Sequence, residues 1–155
     1  MHDKMLKIHN LEEREDEHVL VMELAEKTLQ DYLEEKKWLT FQEAKSMYKQ
    51  LIRTIQLVHK HNIAHLDIKP ASNTITRSLL DIVVTEDGSL KLIDYGVAKM
   101  DAQPVSFKRD WQSLESVLRD IVEKVHNRRH AWELKDIASV FLEQPDVLQH
   151  LEQIK

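Results

Sequence analysis

The chain has 155 residues, a net charge of −5, 42% hydrophobic residues and 32% charged residues. This balance is typical of one folded domain, and the absence of a sustained basic block gives no support for binding nucleic acid or a membrane surface. The sequence has no cysteine, which excludes disulfides and thiolate metal sites, and we expect a protein of the cytoplasm or nucleus.

The first half of the chain predicts a strand hairpin followed by two helices. Short apolar runs at 5–9 and 18–24 flank the acidic stretch EEREDE (12–17), which is typical of a solvated turn. A short amphipathic pattern covers 28–38. Thr40 with Glu43 three residues later is a capping-box pattern that predicts the start of a long helix. The predicted buried face of that helix consists of Phe41, Ala44, Met47, Tyr48, Leu51, Ile52, Ile55 and Val58.

The second half predicts another hairpin and several closing helices. The stretch DIVVTEDGSLKLIDYG (81–96) has strand-like runs on both sides of an Asp-Gly turn. A helix is predicted over 110–125, and shorter helices over 131–144 and 146–155. The predicted inner face of the first of these helices is Trp111, Leu114, Val117, Leu118, Ile121, Val122 and Val125. The order of elements indicates a single α+β domain that is mostly helical.

Four polar residues near the second hairpin suggest phosphoryl transfer. This reaction needs a carboxylate to orient the attacking hydroxyl, a cation near the transferred phosphate, and oxygen ligands for Mg²⁺. Asp67, Lys69, Asn73 and Asp94 supply these groups just before the hairpin and at its end.

Four segments resemble motifs of the protein kinase family, in the family's order, over residues 5 to about 125. HLDIKP (65–70) resembles the catalytic loop, and LIDYG (92–96) resembles the Mg²⁺-binding motif with Tyr in place of Phe. HVLVMEL (18–24) resembles the strand that leads into the adenine-binding hinge. DWQSLESVL (110–118) is similar to the buried central helix of the C-terminal lobe. A Lys two residues after the loop Asp is similar to the Ser/Thr-specific branch.

The resemblance implies ATP and Mg²⁺ as cofactors and a protein as substrate. Asp67 would then be the catalytic base, Lys69 a contact to the phosphates, and Asp94 a ligand of Mg²⁺. His65 and Tyr95 would pack beneath the site.

The resemblance also implies an adenine-binding edge and one structural acid. Met22 would be the gatekeeper, and the backbone of Glu23, Leu24 and Ala25 would meet adenine. Asp110 would accept hydrogen bonds from the backbone of the catalytic loop.

The second metal ligand has two candidate positions. The family places an Asn five residues after the loop Asp, but that position is Ser72, and Asn73 follows it. If the residues ASNTITRSLL are an insertion, Asp81 takes the place of the Asn instead. We favour Asn73, with Asp81 as the rival.

Several family features are missing from these residues. The chain has only Gly88 and Gly96, so it cannot contain the three-glycine phosphate loop. We predict one truncated kinase-like domain over 1–155, with residual N-lobe strands and hinge at 5–24 and a C-lobe at 28–155. The strand Lys and helix Glu of the N-lobe are absent, the segment from Asp94 to Asp110 is short, and Leu66 replaces the usual Arg.

Two functional interpretations remain open on the sequence. One is a Ser/Thr protein kinase domain that is weak or inactive alone and is completed by an N-lobe from another chain. The other is a pseudokinase interaction module that binds or mimics a kinase lobe without catalysis. The histidines His59, His61, His65, His126 and His130 show no ligand pattern, and we interpret them as solvated or capping side chains.

Overall fold

The computed structural model describes residues 8–14, 17–22, 25–64, 82–92, 99–100 and 103–155. Its described strands form three small sheets, and its helices pack around a shared core. None of the described helices combines the length and hydropathy of a membrane span.

The first predicted hairpin is confirmed. Strands β1 (Ile8–Arg14) and β2 (Glu17–Met22) pair antiparallel, with Arg14 opposite Glu17. The prediction that EEREDE is a turn was wrong in extent, because the backbone ladder continues through most of this acidic stretch and leaves only two residues between the strands. In the described part of the chain, β2 has one strand beside it, β1.

A three-stranded sheet contains the second predicted hairpin and a strand that the sequence pattern did not predict. Strands β5 (Ile82–Thr85) and β6 (Leu90–Leu92) form the hairpin around Gly88, whose φ of 83° is the left-handed conformation that favours glycine. Strand β3 (Ala25–Thr28) pairs with β5. Its partner lies far away in the sequence, so local residues give little signal for it.

Two further short strands were not predicted. Strand β4 (Ile63–Ala64) pairs antiparallel with β7 (Lys99–Met100). Each has only two residues, too few for an alternating pattern to be visible in the sequence.

The first two predicted helices are present. Helix α1 (Leu29–Glu35) ends earlier than predicted because Lys36 already has extended backbone geometry. Helix α2 (Phe41–Lys60) begins with the predicted capping box: the Glu43 backbone N–H donates to Thr40 Oγ1 at 3.1 Å, and the Thr40 N–H donates to Glu43 Oε2 at 3.0 Å.

The third helix starts six residues before the predicted position. Helix α3 (Pro104–Val122) has Pro104 at its first position, where the missing N–H of proline costs nothing. Helix α4 (Arg128–Asp136) continues into a π-helical turn (Ile137–Phe141), and helix α5 (Val147–Gln153) closes the chain. The predicted closing helices are therefore confirmed, with a π-helical interruption.

The core lies where α2 packs on α3. Every residue of the predicted α2 face is buried except Phe41, and every residue of the predicted α3 face is buried except Trp111; these two are half-buried. The Tyr48 hydroxyl donates to the Leu118 carbonyl at 3.1 Å, and burial raises the pKa of Tyr48. Thr54, absent from the predicted face, is also buried, and its hydroxyl is satisfied by donating to the Gln50 carbonyl within the helix at 2.8 Å.

Candidate active site

Two backbone strand pairs frame the segments that carry the predicted chemistry. Ala64 pairs with Lys99 in the β4–β7 ladder, and Ile82 pairs with Leu92 in the β5–β6 ladder. We call these two the frame pairs. Segment 65–81 leaves from Ala64 and returns at Ile82, while segment 93–98 leaves from Leu92 and returns at Lys99. The two segments therefore begin and end side by side.

The predicted catalytic and metal residues lie in these segments, outside the described residues. Asp67 is the third residue after Ala64, Asp94 is the second after Leu92, and Asp81 directly precedes Ile82. Lys69, Asn73, His65, Leu66 and Tyr95 also lie outside the described residues, so their predicted roles stay predictions. The described residues contain no group of three or more His, Asp or Glu side chains placed to hold a metal.

The frame pair at Ala64 is fixed by the end of α2. The N–H of His61 donates to the Val58 carbonyl at 3.1 Å, and the N–H of Asn62 donates to the His59 carbonyl at 2.9 Å. Asn62 has a φ of 59°, a left-handed conformation that Asn tolerates better than most residues. This turn sends the chain into β4, which packs against both α2 and α3 with Ala64 fully buried.

The frame pair at Ile82 is also held by α2. The Leu90 N–H, at the start of β6, donates to the Gln50 side-chain oxygen at 2.9 Å. In the hairpin turn, Asp87 accepts bonds from the Thr85 hydroxyl at 2.6 Å and the Ser89 N–H at 3.1 Å. These hydrogen bonds lower the pKa of Asp87 to about 2. One helix thus positions both frame pairs.

A buried acid–histidine contact lies beside β4. His59 Nε2 is 2.9 Å from Asp110 Oδ2; the Asp110 side chain has no exposure, and the His59 side chain is 11% exposed. The His59 ring also meets Phe107 at 4.4 Å and Trp111 at 5.4 Å between centroids. Asp110 therefore joins α3 to the end of α2, next to the strand from which segment 65–81 leaves.

His59 was interpreted from the sequence as a solvated or capping residue, and this was wrong. The signal was present in the helical spacing, because Ile52, Ile55 and His59 follow one another at intervals of three and four residues on the buried face. His61 is the C-cap of α2, as a capping histidine should be. The predicted acceptance of loop backbone hydrogen bonds by Asp110 involves residues outside the described ranges and stays a prediction.

The predicted adenine-binding edge is described in part. Met22 is the last residue of β2 and pairs with Ile8, while Ala25 opens β3 and pairs with Thr85. Glu23 and Leu24, between them, lie outside the described residues. The predicted hinge therefore connects the β1–β2 hairpin to the sheet that carries one frame pair.

Residues 1–128 match the family described as the protein kinase domain, which is most of the chain. The chain belongs to the protein kinase family. It is 33% identical to the mouse dual specificity protein kinase TTK over 111 residues, covering 71% of this chain and 12% of the relative. It is 31% identical over 123 residues to human death-associated protein kinase 2, covering 79% of this chain and 32% of the relative.

A third relative is the fission yeast serine/threonine-protein kinase cds1, 34% identical over 100 residues and covering 64% of this chain and 20% of the relative. The chain thus spans about a third or less of the length of these relatives. The kinase family explains why four motifs occur in order, and the mostly helical fold with small sheets fits part of a kinase domain.

Proposed function

We propose that this domain transfers the γ-phosphoryl group of Mg·ATP to a Ser or Thr hydroxyl of a protein when the rest of the ATP clamp is supplied. The observation that carries the proposal is the pair of frame ladders, Ala64–Lys99 and Ile82–Leu92. They bring together the ends of the two segments that hold the kinase-like acids. Family membership supports the same chemistry.

The residue roles follow from the needs of phosphoryl transfer. The Asp67 carboxylate would orient the substrate hydroxyl and accept its proton, and the Lys69 ammonium would offset charge on the transferred phosphate. The Asp94 carboxylate would hold Mg²⁺ together with either the Asn73 amide oxygen or the Asp81 carboxylate, because oxygen donors of this kind suit that ion. When bound, Mg²⁺ would neutralise phosphate charge. The hinge from Met22 to Ala25 would hold adenine.

We also propose that these 155 residues have weak or no activity when they are alone. With only two glycines, this polypeptide cannot cover the phosphates with a three-glycine loop. Losing one preorganised contact to developing charge typically costs about 10²–10³ in rate. The alternative proposal is a pseudokinase interaction module, which keeps the fold and does not transfer phosphate.

Nucleotide binding is the first test. Thermal unfolding is measured with and without ATP plus Mg²⁺, for the unaltered protein and for Asp94→Asn. Saturation near 100 times the dissociation constant should add about 2.7 kcal/mol to the free energy of unfolding, and Asp94→Asn should remove most of this gain. Glu86→Gln is the matched control, because Glu86 is an exposed carboxylate in the turn of the same hairpin. If no shift appears at millimolar nucleotide, either for the chain alone or with a kinase N-lobe fragment added, the protein does not bind nucleotide and the enzyme proposal fails for this chain.

Phosphate transfer separates the two proposals. Labelled phosphate from γ-labelled ATP is followed into a mixture of Ser- and Thr-containing peptides, with the chain alone and with a kinase N-lobe fragment added. Transfer that depends on the added lobe and is lost in Asp67→Ala supports the enzyme. A folded protein that nucleotide does not stabilise, and that transfers no phosphate under either condition, supports the interaction module.

A further inference from the structure

A positively charged surface lies at the start of α2, at the opposite end from the Ala64–Lys99 frame pair. The Leu39 N–H donates to the Lys124 carbonyl at 2.8 Å, and Leu39 forms an isolated bridge with Val125. This contact brings the residues after α1 beside the connection from α3 to α4. The side chains on these two segments form what we call the basic patch: Lys36, Lys37, Trp38, Lys124, His126 and Arg128.

Contacts across the patch hold its two halves together. Lys124 Nζ donates to the Lys36 carbonyl at 3.3 Å, and the Trp38 and His126 rings lie 5.4 Å apart at a tilt of 47°. Trp38 nevertheless remains 55% exposed, an unusual state for so large an apolar side chain.

Much of the charge in the patch is not neutralised by neighbours. Within the described part of the chain, Lys37 and Arg128 are exposed and form no ion pair, and Lys36 reaches Glu43 only at 3.9 Å. Exposed pairs of this length contribute little. Four cationic side chains therefore share one face of a protein whose net charge is −5.

Local helix stability accounts for only some of these residues. Lys36 and Lys37 follow the end of α1, and Lys124 follows the end of α3, where cations are favourable. Arg128 instead occupies the first turn of α4, which contains no acid and where a positive charge is unfavourable. Neither Arg128 nor the exposed Trp38 is explained by the stability of its own element.

We propose that the basic patch binds an acidic segment of a partner protein. Carboxylate or phosphate groups of that segment would pair with Lys37, Lys124 and Arg128, and an apolar side chain would pack on Trp38. Charge complementarity selects the occupant, because the overall negative charge of the protein and the exposed Trp38 within the patch suit a short acidic peptide better than a long nucleic acid backbone.

The patch is separate from the candidate active site. Helix α2 has 20 residues and is therefore about 30 Å long, with the patch at its start and β4 at its end. Binding at the patch thus leaves the Ala64–Lys99 frame pair uncovered. The proposal does not rest on catalysis, and it holds equally for an enzyme or an interaction module.

Fluorescence anisotropy with a fluorescein-labelled Glu-rich peptide containing one leucine tests the proposal. The double variant Lys37→Glu/Arg128→Glu should weaken binding by about tenfold or more, equivalent to about 1.4 kcal/mol. The matched control is Lys60→Glu/Lys108→Glu, which changes net charge equally at exposed sites near the other end of α2. The control should change affinity less than about twofold at moderate salt, because distant charges are screened over about 10 Å. Circular dichroism and the unfolding midpoint confirm that each variant is folded.

Trp38→Ala provides a second variant that leaves charge unchanged, and it should weaken binding severalfold. Three outcomes would overturn the proposal. Equal weakening by the two double variants would mean that only net charge matters. Tighter binding of labelled single-stranded RNA than of the peptide at the same salt would make the partner a nucleic acid. Patch-dependent self-association in sedimentation would make the occupant a second copy of this chain.

Discussion

The start and the end of α2 are positioned by different interactions, although both belong to one helix. At the start, Thr40 and Glu43 exchange hydrogen bonds within three residues of each other. At the end, His59 is held by Asp110, which is 51 positions away in the sequence. The start is therefore fixed by local chemistry, and the end depends on tertiary contacts. We expect the candidate active site to be more sensitive to distant substitutions than the capped first turn of α2.

The largest expected effect tests whether the two ends share one core. Ile52 lies between them and is fully buried, so Ile52→Ala should lower the free energy of unfolding by about 2–5 kcal/mol through lost burial and a cavity. Urea unfolding followed by circular dichroism measures this loss. The conservative Ile52→Val should cost about 0.5–1.5 kcal/mol. Separate unfolding transitions for the two ends would show that they belong to two different cores.

The next effect is specific to the end of α2. Asp110→Ala removes a buried carboxylate bonded to His59, and we expect a loss of about 1.5–3 kcal/mol, the range for hydrogen bonds to charged groups. Asp110→Asn keeps an oxygen in place and should cost less. Amide hydrogen exchange should rise more at Ile63 and Ala64 than at Leu39. Equal increases at all three would contradict a localised role.

The helices and hairpins could be predicted because their signals are local. The capping box at Thr40, the Asp-Gly turn and the apolar spacing of α2 and α3 each occupy a few neighbouring residues, and the structure contains all of them. Strands β3, β4 and β7 were missed because they exist through partners distant in sequence. The early start of α3 was missed because the polar residues after Pro104 mask the helical pattern.

The site was predictable in a different way. Asp67, Lys69 and Asp94 were assigned from their resemblance to family motifs, which carries information that the physics of a single sequence does not. The His59–Asp110 contact was not predicted, because it forms only when α2 and α3 pack together. The Ala64–Lys99 frame pair likewise depends on the β4–β7 ladder, which no local pattern predicts, whereas the Ile82–Leu92 pair belongs to the predicted hairpin.

At the start of α2, removal of the capping box has a smaller expected effect. Thr40→Ala should lower the free energy of unfolding by about 1 kcal/mol, because the Glu43 N–H loses its side-chain acceptor. Thr40→Ser keeps the hydroxyl and should behave nearly like the unaltered protein. Because this cap is local, nucleotide-dependent stabilisation should be unchanged in Thr40→Ala. A loss of that stabilisation would show that the start of α2 affects nucleotide binding at the candidate active site.

The smallest expected effect concerns the end of α3 that approaches the basic patch. One carboxylate oxygen of Asp120 is enclosed and has no hydrogen-bond partner in the described part of the structure. Burial, with a smaller contribution from the charge of Glu123, raises the pKa of Asp120 from 3.8 to about 6. The folded protein therefore binds this proton more tightly than the unfolded chain. The ionised group destabilises the fold above pH 6, and the free energy of unfolding should rise as the pH falls from 6 to 4.

Asp120→Asn removes this ionisation and should stabilise the protein at pH 7. Solvent screening of the partly exposed side chain reduces the expected gain to about 0.5 kcal/mol. The gain should shrink between pH 6 and pH 4, where the native carboxyl becomes protonated, and it should vanish below the unfolded value. Glu123→Gln removes only the smaller cause and should give a smaller gain with the same pH dependence. Urea unfolding at a series of pH values measures both variants. A gain for Asp120→Asn that is constant from pH 4 to pH 8 would assign it to helix propensity rather than to the buried charge.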